Sequence, residues 1–102
     1  MEAGFKDKFK NIIKLTDKQW KHITTEHPEI EPYKNKLADV LGKPDLVKRS
    51  KRDKDTFLYY RYYEGIYGGK YLLVVARIKD KLLLTCYITD RIKEGDLIWK
   101  KD

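Results

Sequence analysis

His22 and His27 are the two histidines of the chain, and an imidazole, which titrates near neutrality, exchanges a proton in either direction. On a helix running through Trp20, His27 falls about 20° from the indole, toward the sheet, whereas His22 falls about 200° away, toward solvent. His27 is therefore the stronger candidate for proton transfer, against the plainer reading of a helix-ending histidine satisfied by backbone carbonyls. Arg61 and Arg77 interrupt apolar or aromatic strand segments, where a guanidinium needs an anion: a ligand phosphate, or one of Glu26, Glu29 and Glu64. Thr85, Tyr87 and Thr89 recur at a spacing of two, which puts three hydroxyls on one face of a strand. Lys48 to Lys54 holds five cations in seven positions, among them Arg49, Lys51 and Arg52, next to aromatic strands that include Tyr59. Cations for a phosphate backbone and rings for unpaired bases suit RNA. RNA also carries its own nucleophile in the 2′-hydroxyl, so its cleavage asks only for a base, an acid and positive charge around the phosphate.

The rest of the composition narrows the choice. The chain has 102 residues with 23 basic against 16 acidic side chains, a net charge of +7, so one domain, 1–102, is expected and a polyanionic partner is favoured. That length leaves no room for separate cofactor and substrate domains, and no cofactor is expected. Cys86 stands alone in an apolar segment and reads as a buried, inert thiol. His22 and His27 lie about 140° apart on a helix, so no metal site is legible. The pair Gly68 and Gly69 lacks the lysine and helix of a phosphate loop. The longest apolar run, Tyr71 to Ala76, is too short to cross a bilayer, and a cytoplasmic protein without a membrane partner is expected.

These residues must be positioned by a small α+β fold. Residues 1–15 read as a charged leader. Thr16 then caps a helix carrying Trp20, Ile23, Thr24 and His27, which Pro28 should end. A second helix fits Tyr33, Leu37, Val40 and Leu41, with Pro32 near its start and Gly42 at its stop, so that 16–42 is helical. Strands follow near 46–50, 56–63, 70–79, 82–89 and 96–100, making 46–100 an antiparallel sheet. If Ile78 pairs with Leu82, one face of that hairpin is wholly apolar and covers the helices. The other face carries the hydroxyl row, and Arg61 is expected beside it. The predicted architecture is two N-terminal helices packed on a four- to five-stranded antiparallel sheet.

The string Trp20-Lys21-His22-Ile23, followed by His27-Pro28-Glu29, Tyr33, Leu37 and Pro44-Asp45, resembles the start of the phage-associated barnase-EndoU-colicin-RelE-like nucleases. Tyr59-Tyr60-Arg61, Tyr71 to Val75, Thr85 to Thr89 and Lys93 to Trp99 continue the resemblance across most of the chain. It implies a metal-independent endoribonuclease of the RelE-like nuclease fold, commonly a toxin or phage-encoded effector held by an acidic antitoxin or immunity protein. It also implies functional positions at His27, Arg61, Thr85 and Thr89, with His22, Arg77 and Tyr87 behind them. Arg77 stands where many relatives carry lysine, and a guanidinium stabilises phosphate there without acting as an acid. The rival readings are a non-catalytic RNA-binding module and a protein-interaction domain.

Overall fold

The computed structural model describes residues 2–102. Its first surprise is the N-terminal stretch, which is a hairpin and not a leader. Ala3–Lys6 (β1) and Ile12–Leu15 (β2) pair antiparallel, with Ala3 opposite Leu15 and Lys6 opposite Ile12. Ile13 and Leu15 point into the core while Ile12 and Lys14 stay exposed, the alternation of a half-buried strand. Asp7 locks the turn. Its carboxylate accepts the backbone N–H groups of Phe9 (2.9 Å) and Asn11 (2.7 Å), the Asn11 side-chain amide (3.1 Å) and the buried Tyr59 hydroxyl (2.5 Å).

Thr16 then caps Asp17–Glu26 (α1), its hydroxyl accepting from the Gln19 N–H at 3.0 Å. The helix stops at His27, ahead of Pro28. The predicted second helix arrives in two parts. Pro28–Lys36 is a 3₁₀ helix, and only Leu37–Gly42 (α2) is α-helical. Pro28 and Pro32 lack the N–H donors an α-ladder needs, so the tighter turn carries the chain to Leu37, Val40 and Leu41, which are fully buried. None of the helices is long and apolar enough to cross a membrane, among the described residues.

Five further strands follow: Leu46–Ser50 (β3), Thr56–Tyr63 (β4), Lys70–Arg77 (β5), Leu82–Thr89 (β6) and Gly95–Lys100 (β7). Together with the hairpin they form one seven-stranded sheet in the order β1-β2-β6-β5-β4-β3-β7. The expected two helices on a four- to five-stranded antiparallel sheet are thereby overturned. The sheet is mixed, because β2 joins β6 in parallel through Lys14 and Leu82.

Register decides which side chains share a face. Tyr71 pairs with Thr89, Leu73 with Tyr87 and Val75 with Thr85, as the sequence predicts, but a bulge between Val75 and Ala76 then brings Ala76 opposite Leu83. Leu83, 2% exposed, thus enters the helix-side core with Leu72, Val74, Ala76 and Cys86. Leu84 is left out of the pairing, and its carbonyl accepts from the Gln19 side-chain amide of α1. On the opposite, helix-free face Leu46, Leu58, Tyr60 and Leu73 form a second small core.

The segment 90–94 closes this second face. Thr89 lies level with Tyr71 and Tyr62, and Gly95 starts at Ser50, near the other end of β4, with β5, β4 and β3 in between. In a flat sheet these points would lie about 19 Å apart across the strands and about 20 Å apart along them. Six residue steps reach at most about 21 Å. The sheet must therefore twist and curl until the helix-free face is concave, with 90–94 drawn across it as a strap. The Lys93 N–H donates to the Tyr60 hydroxyl at 2.9 Å, and the Lys48 ammonium donates to the Lys93 carbonyl at 3.2 Å.

Candidate functional site

The concave face holds a cleft of about 410 Å³. Thr56, Leu58, Val75, Thr85 and Tyr87 form its floor, the end of β3 and the turn after it contribute Ser50, Lys51 and Arg52, and the strap contributes Lys93 and Glu94. The turn is pre-shaped. Asp53 accepts the Asp55 N–H (3.0 Å) and the Thr56 hydroxyl (2.9 Å), and the Ser50 hydroxyl accepts the Arg52 N–H (3.2 Å). The two contacts to Asp53, the backbone one first, hold its carboxyl below the usual carboxylate range. Lys51 reaches Glu94 across the mouth at 3.9 Å, both side chains well exposed, a contact of little energetic weight. The Lys93 ammonium stands 5.6 Å from the Tyr87 ring centroid. Three cations against one carboxylate make this an anion-seeking cleft.

His27 reaches the same place from the sheet edge. Its backbone is occupied by the helix end, with its N–H bonded to the Ile23 carbonyl and its carbonyl accepting from Ile30. Its ring stacks on Tyr87, centroids 4.9 Å apart and planes inclined by 22°. Glu29 stands 3.6 Å from Nδ1. Imidazole, phenol and the cleft's cations are thus contiguous.

The other predicted residues separate into distinct places. Arg61 is not beside the hydroxyl row: it pairs across with Leu72, which pairs with Ile88, on the helix-covered face. There its Nη1 donates to the Lys43 carbonyl. The misplacement has a physical cause, because helices cover one face of β4 and the strap the other, so Tyr59 and Tyr60 are both fully buried and alternation carries no sign. Tyr59, predicted to contact substrate, is sealed on the helix side with its hydroxyl on Asp7. Burial first, and that carboxylate second, push its phenol above the usual range. Arg77 is clamped by Asp80 at 2.8 and 2.7 Å, not by Glu26, Glu29 or Glu64. The clamp raises the Arg77 pKa and lowers that of Asp80. Arg49 turns to the helix side, 5.9 Å from the Phe57 ring. His22 is exposed and pairs with Glu26 at 3.2 Å. Thr89 lies about 13 Å along the strand from Thr85 and closes a local turn, its hydroxyl accepting from the Arg91 N–H at 3.1 Å.

Thr85, Tyr87, Lys51, Arg52 and His27 are therefore brought together, while Arg61, Arg77, Tyr59, Arg49, His22 and Thr89 are not. Lys93, Ser50 and Thr56 also line the cleft and were not among the predicted site residues. No local signal marked Lys93, because its place over the hydroxyl face depends on the strand order and on the contacts of 90–94 with Tyr60 and Lys48.

Cys86 is fully buried, and burial, followed by the charge of Glu29, pushes its thiol up to about 12. Ellman's reagent is expected to leave the native protein unmodified over hours and to titrate one thiol once denaturant unfolds it. Rapid native labelling would show that the β6 edge opens readily.

Among the described residues no three His, Cys, Asp or Glu side chains are grouped to hold a metal ion. Comparisons with protein families, with curated protein sequences and with solved structures show no match to this chain.

Proposed function

We propose that the chain is an endoribonuclease that works through the substrate's own 2′-hydroxyl, without a metal ion. The observation that carries this reading is the His27 ring stacked on Tyr87 at the rim of a cleft lined by Lys51, Arg52 and Lys93. A single RNA strand lies along the cleft with its phosphate among those three cations. His27 takes the 2′-hydroxyl proton as the oxygen attacks the adjacent phosphorus. Tyr87 supplies a proton to the departing 5′-oxygen, leaving a 2′,3′-cyclic phosphate. The cations offset the negative charge that accumulates on the phosphoryl oxygens, and Thr85 donates to one of them. Arg61 and Arg77 take no part. The sequence resemblance to phage-associated nucleases supports the same chemistry, and a toxin-like effector of cytoplasmic RNA is its fitting setting. An acidic inhibitor protein would match the cleft and the net charge of +7.

The test is incubation with total RNA in EDTA, followed by end-group analysis. Products ending in 2′,3′-cyclic phosphate are expected. Retention of RNA without products would replace this reading by a non-catalytic RNA-binding module, and neither binding nor cleavage would favour a protein-interaction domain.

A further inference from the structure

The helix-covered side of the sheet holds a second cationic recess that the proposed cleavage does not use. Lys8 from the N-terminal turn, Lys43 and Pro44 after α2, Arg61 of β4, and Trp99 and Lys101 at the end of β7 line a space of about 320 Å³. Four of these side chains are cations and none is acidic. The lysine and arginine ion pairs of the described residues, Lys14 with Glu2, Lys51 with Glu94, Lys70 with Asp90 and Arg77 with Asp80, involve none of them. Asp45, the nearest carboxylate in sequence to Lys43, accepts the backbone N–H of Tyr62 at 2.6 Å.

Arg61 gives this recess a fixed element. One guanidinium nitrogen is held by the Lys43 carbonyl, and the Tyr63 ring flanks the group at 5.6 Å with its hydroxyl interacting with the guanidinium, so the side chain is fixed on two sides. A guanidinium carries five N–H donors, two of which match an oxyanion in parallel. The recess thus gathers four cations without a carboxylate among them, and an anion on the open Nη end of the guanidinium relieves their mutual repulsion. Lys8 already lies over the Trp99 indole at 4.0 Å, which limits its reach and leaves the indole as a reporter of the recess.

From this we infer that the recess around Arg61 is a phosphoryl-binding site, separate from the cleft on the concave face. It takes a tetrahedral oxyanion with Arg61 as the oriented ligand and Lys43, Lys101 and Lys8 as mobile counter-charges. The same chemistry is offered by a free phosphate and by the backbone of an RNA strand.

Trp99 emission, recorded in a Trp20→Phe background, tests the assignment by titration with inorganic phosphate and, separately, with a 2′-O-methyl oligoribonucleotide that resists cleavage. A saturable change is expected, weakened about tenfold or more in Lys43→Glu/Lys101→Glu, whose side chains are exposed and whose fold is checked by circular dichroism. The change should survive in Lys51→Glu/Arg52→Glu, which alters only the concave face. Saturation by phosphate alone assigns a small-anion site, and saturation by the oligonucleotide, competed by phosphate, assigns a backbone contact. An emission change that is unsaturable, or that is indifferent to the Lys43 and Lys101 reversals, overturns the inference whatever the cleavage assay shows.

Discussion

Replacing His27 by alanine is expected to lower RNA cleavage in EDTA by about 10²- to 10⁴-fold, the range supplied by one positioned acid or base. Affinity for a non-cleavable oligonucleotide should change little, because Lys51, Arg52 and Lys93, the proposed phosphate ligands, line the cleft and remain in place. The substitution also removes the ring that covers Tyr87, so His27→Phe is the informative companion: it keeps the stack and deletes the proton-transfer group. Both variants should be equally impaired if the imidazole acts chemically. Recovery of cleavage in His27→Phe would reduce His27 to a packing residue. His22→Ala supplies the control, since His22 is exposed and engaged only with Glu26.

The second large effect concerns stability. Asp7 is 4% exposed and receives four hydrogen bonds, from Phe9, Asn11 twice and Tyr59. Asp7→Ala leaves a fully buried phenol and two backbone N–H groups without their acceptor, at an expected cost of about 3–5 kcal/mol. Against the usual total of about 5–15 kcal/mol this is a large fraction, and a domain of this size should lose well over 10 °C in Tm. A calorimetric shift of a degree or two would mean that the N-terminal hairpin is peripheral to the cooperative unit. The same contact gives a pH signature. Tyr59 titrates above its ordinary value of 10.0 when folded, chiefly through burial and then through Asp7, so the folded state disfavours the phenolate. Its contribution is complete below about pH 10 and is lost as the pH climbs toward the raised folded value, by up to about 1.4 kcal/mol per pH unit. Tyr60 and Tyr63 shift the same way, again through burial. Urea denaturation between pH 9 and about pH 11 should show falling stability, less steeply in Tyr59→Phe.

Much of the second half of the fold was legible because its strands announce themselves. Tyr71 to Val75 is a continuous apolar and β-branched run, Thr85 to Thr89 alternates, and their pairing follows the predicted register up to the bulge at Ala76. A bulge has no local sequence signature strong enough to place it, and from there the leucines exchange faces. The N-terminal hairpin was hidden by lysines on strands of four residues, too short for a period to stand out. Arg61 and Tyr59 were misassigned for the opposite reason: β4 is covered on both sides, so period two could not say which was which. In the candidate site, the hydroxyls, Lys51, Arg52 and His27 could be read from residue type and spacing. The strap that brings Lys93 over Tyr87 depends on strand order, which only the assembled sheet reveals.

The connection between β6 and β7 crosses the concave face, and this limits what the face can admit. A span anchored at Tyr60 and Lys48 fences the trough on one side, so on the proposed function a polymer would run alongside it instead of sweeping across. A paired helix would be too broad and stiff for such a lane, whereas an unpaired strand would thread it with its bases turned out. Hairpin loops, frayed ends and linkers between stems are thus the stretches of an RNA that this surface would meet first.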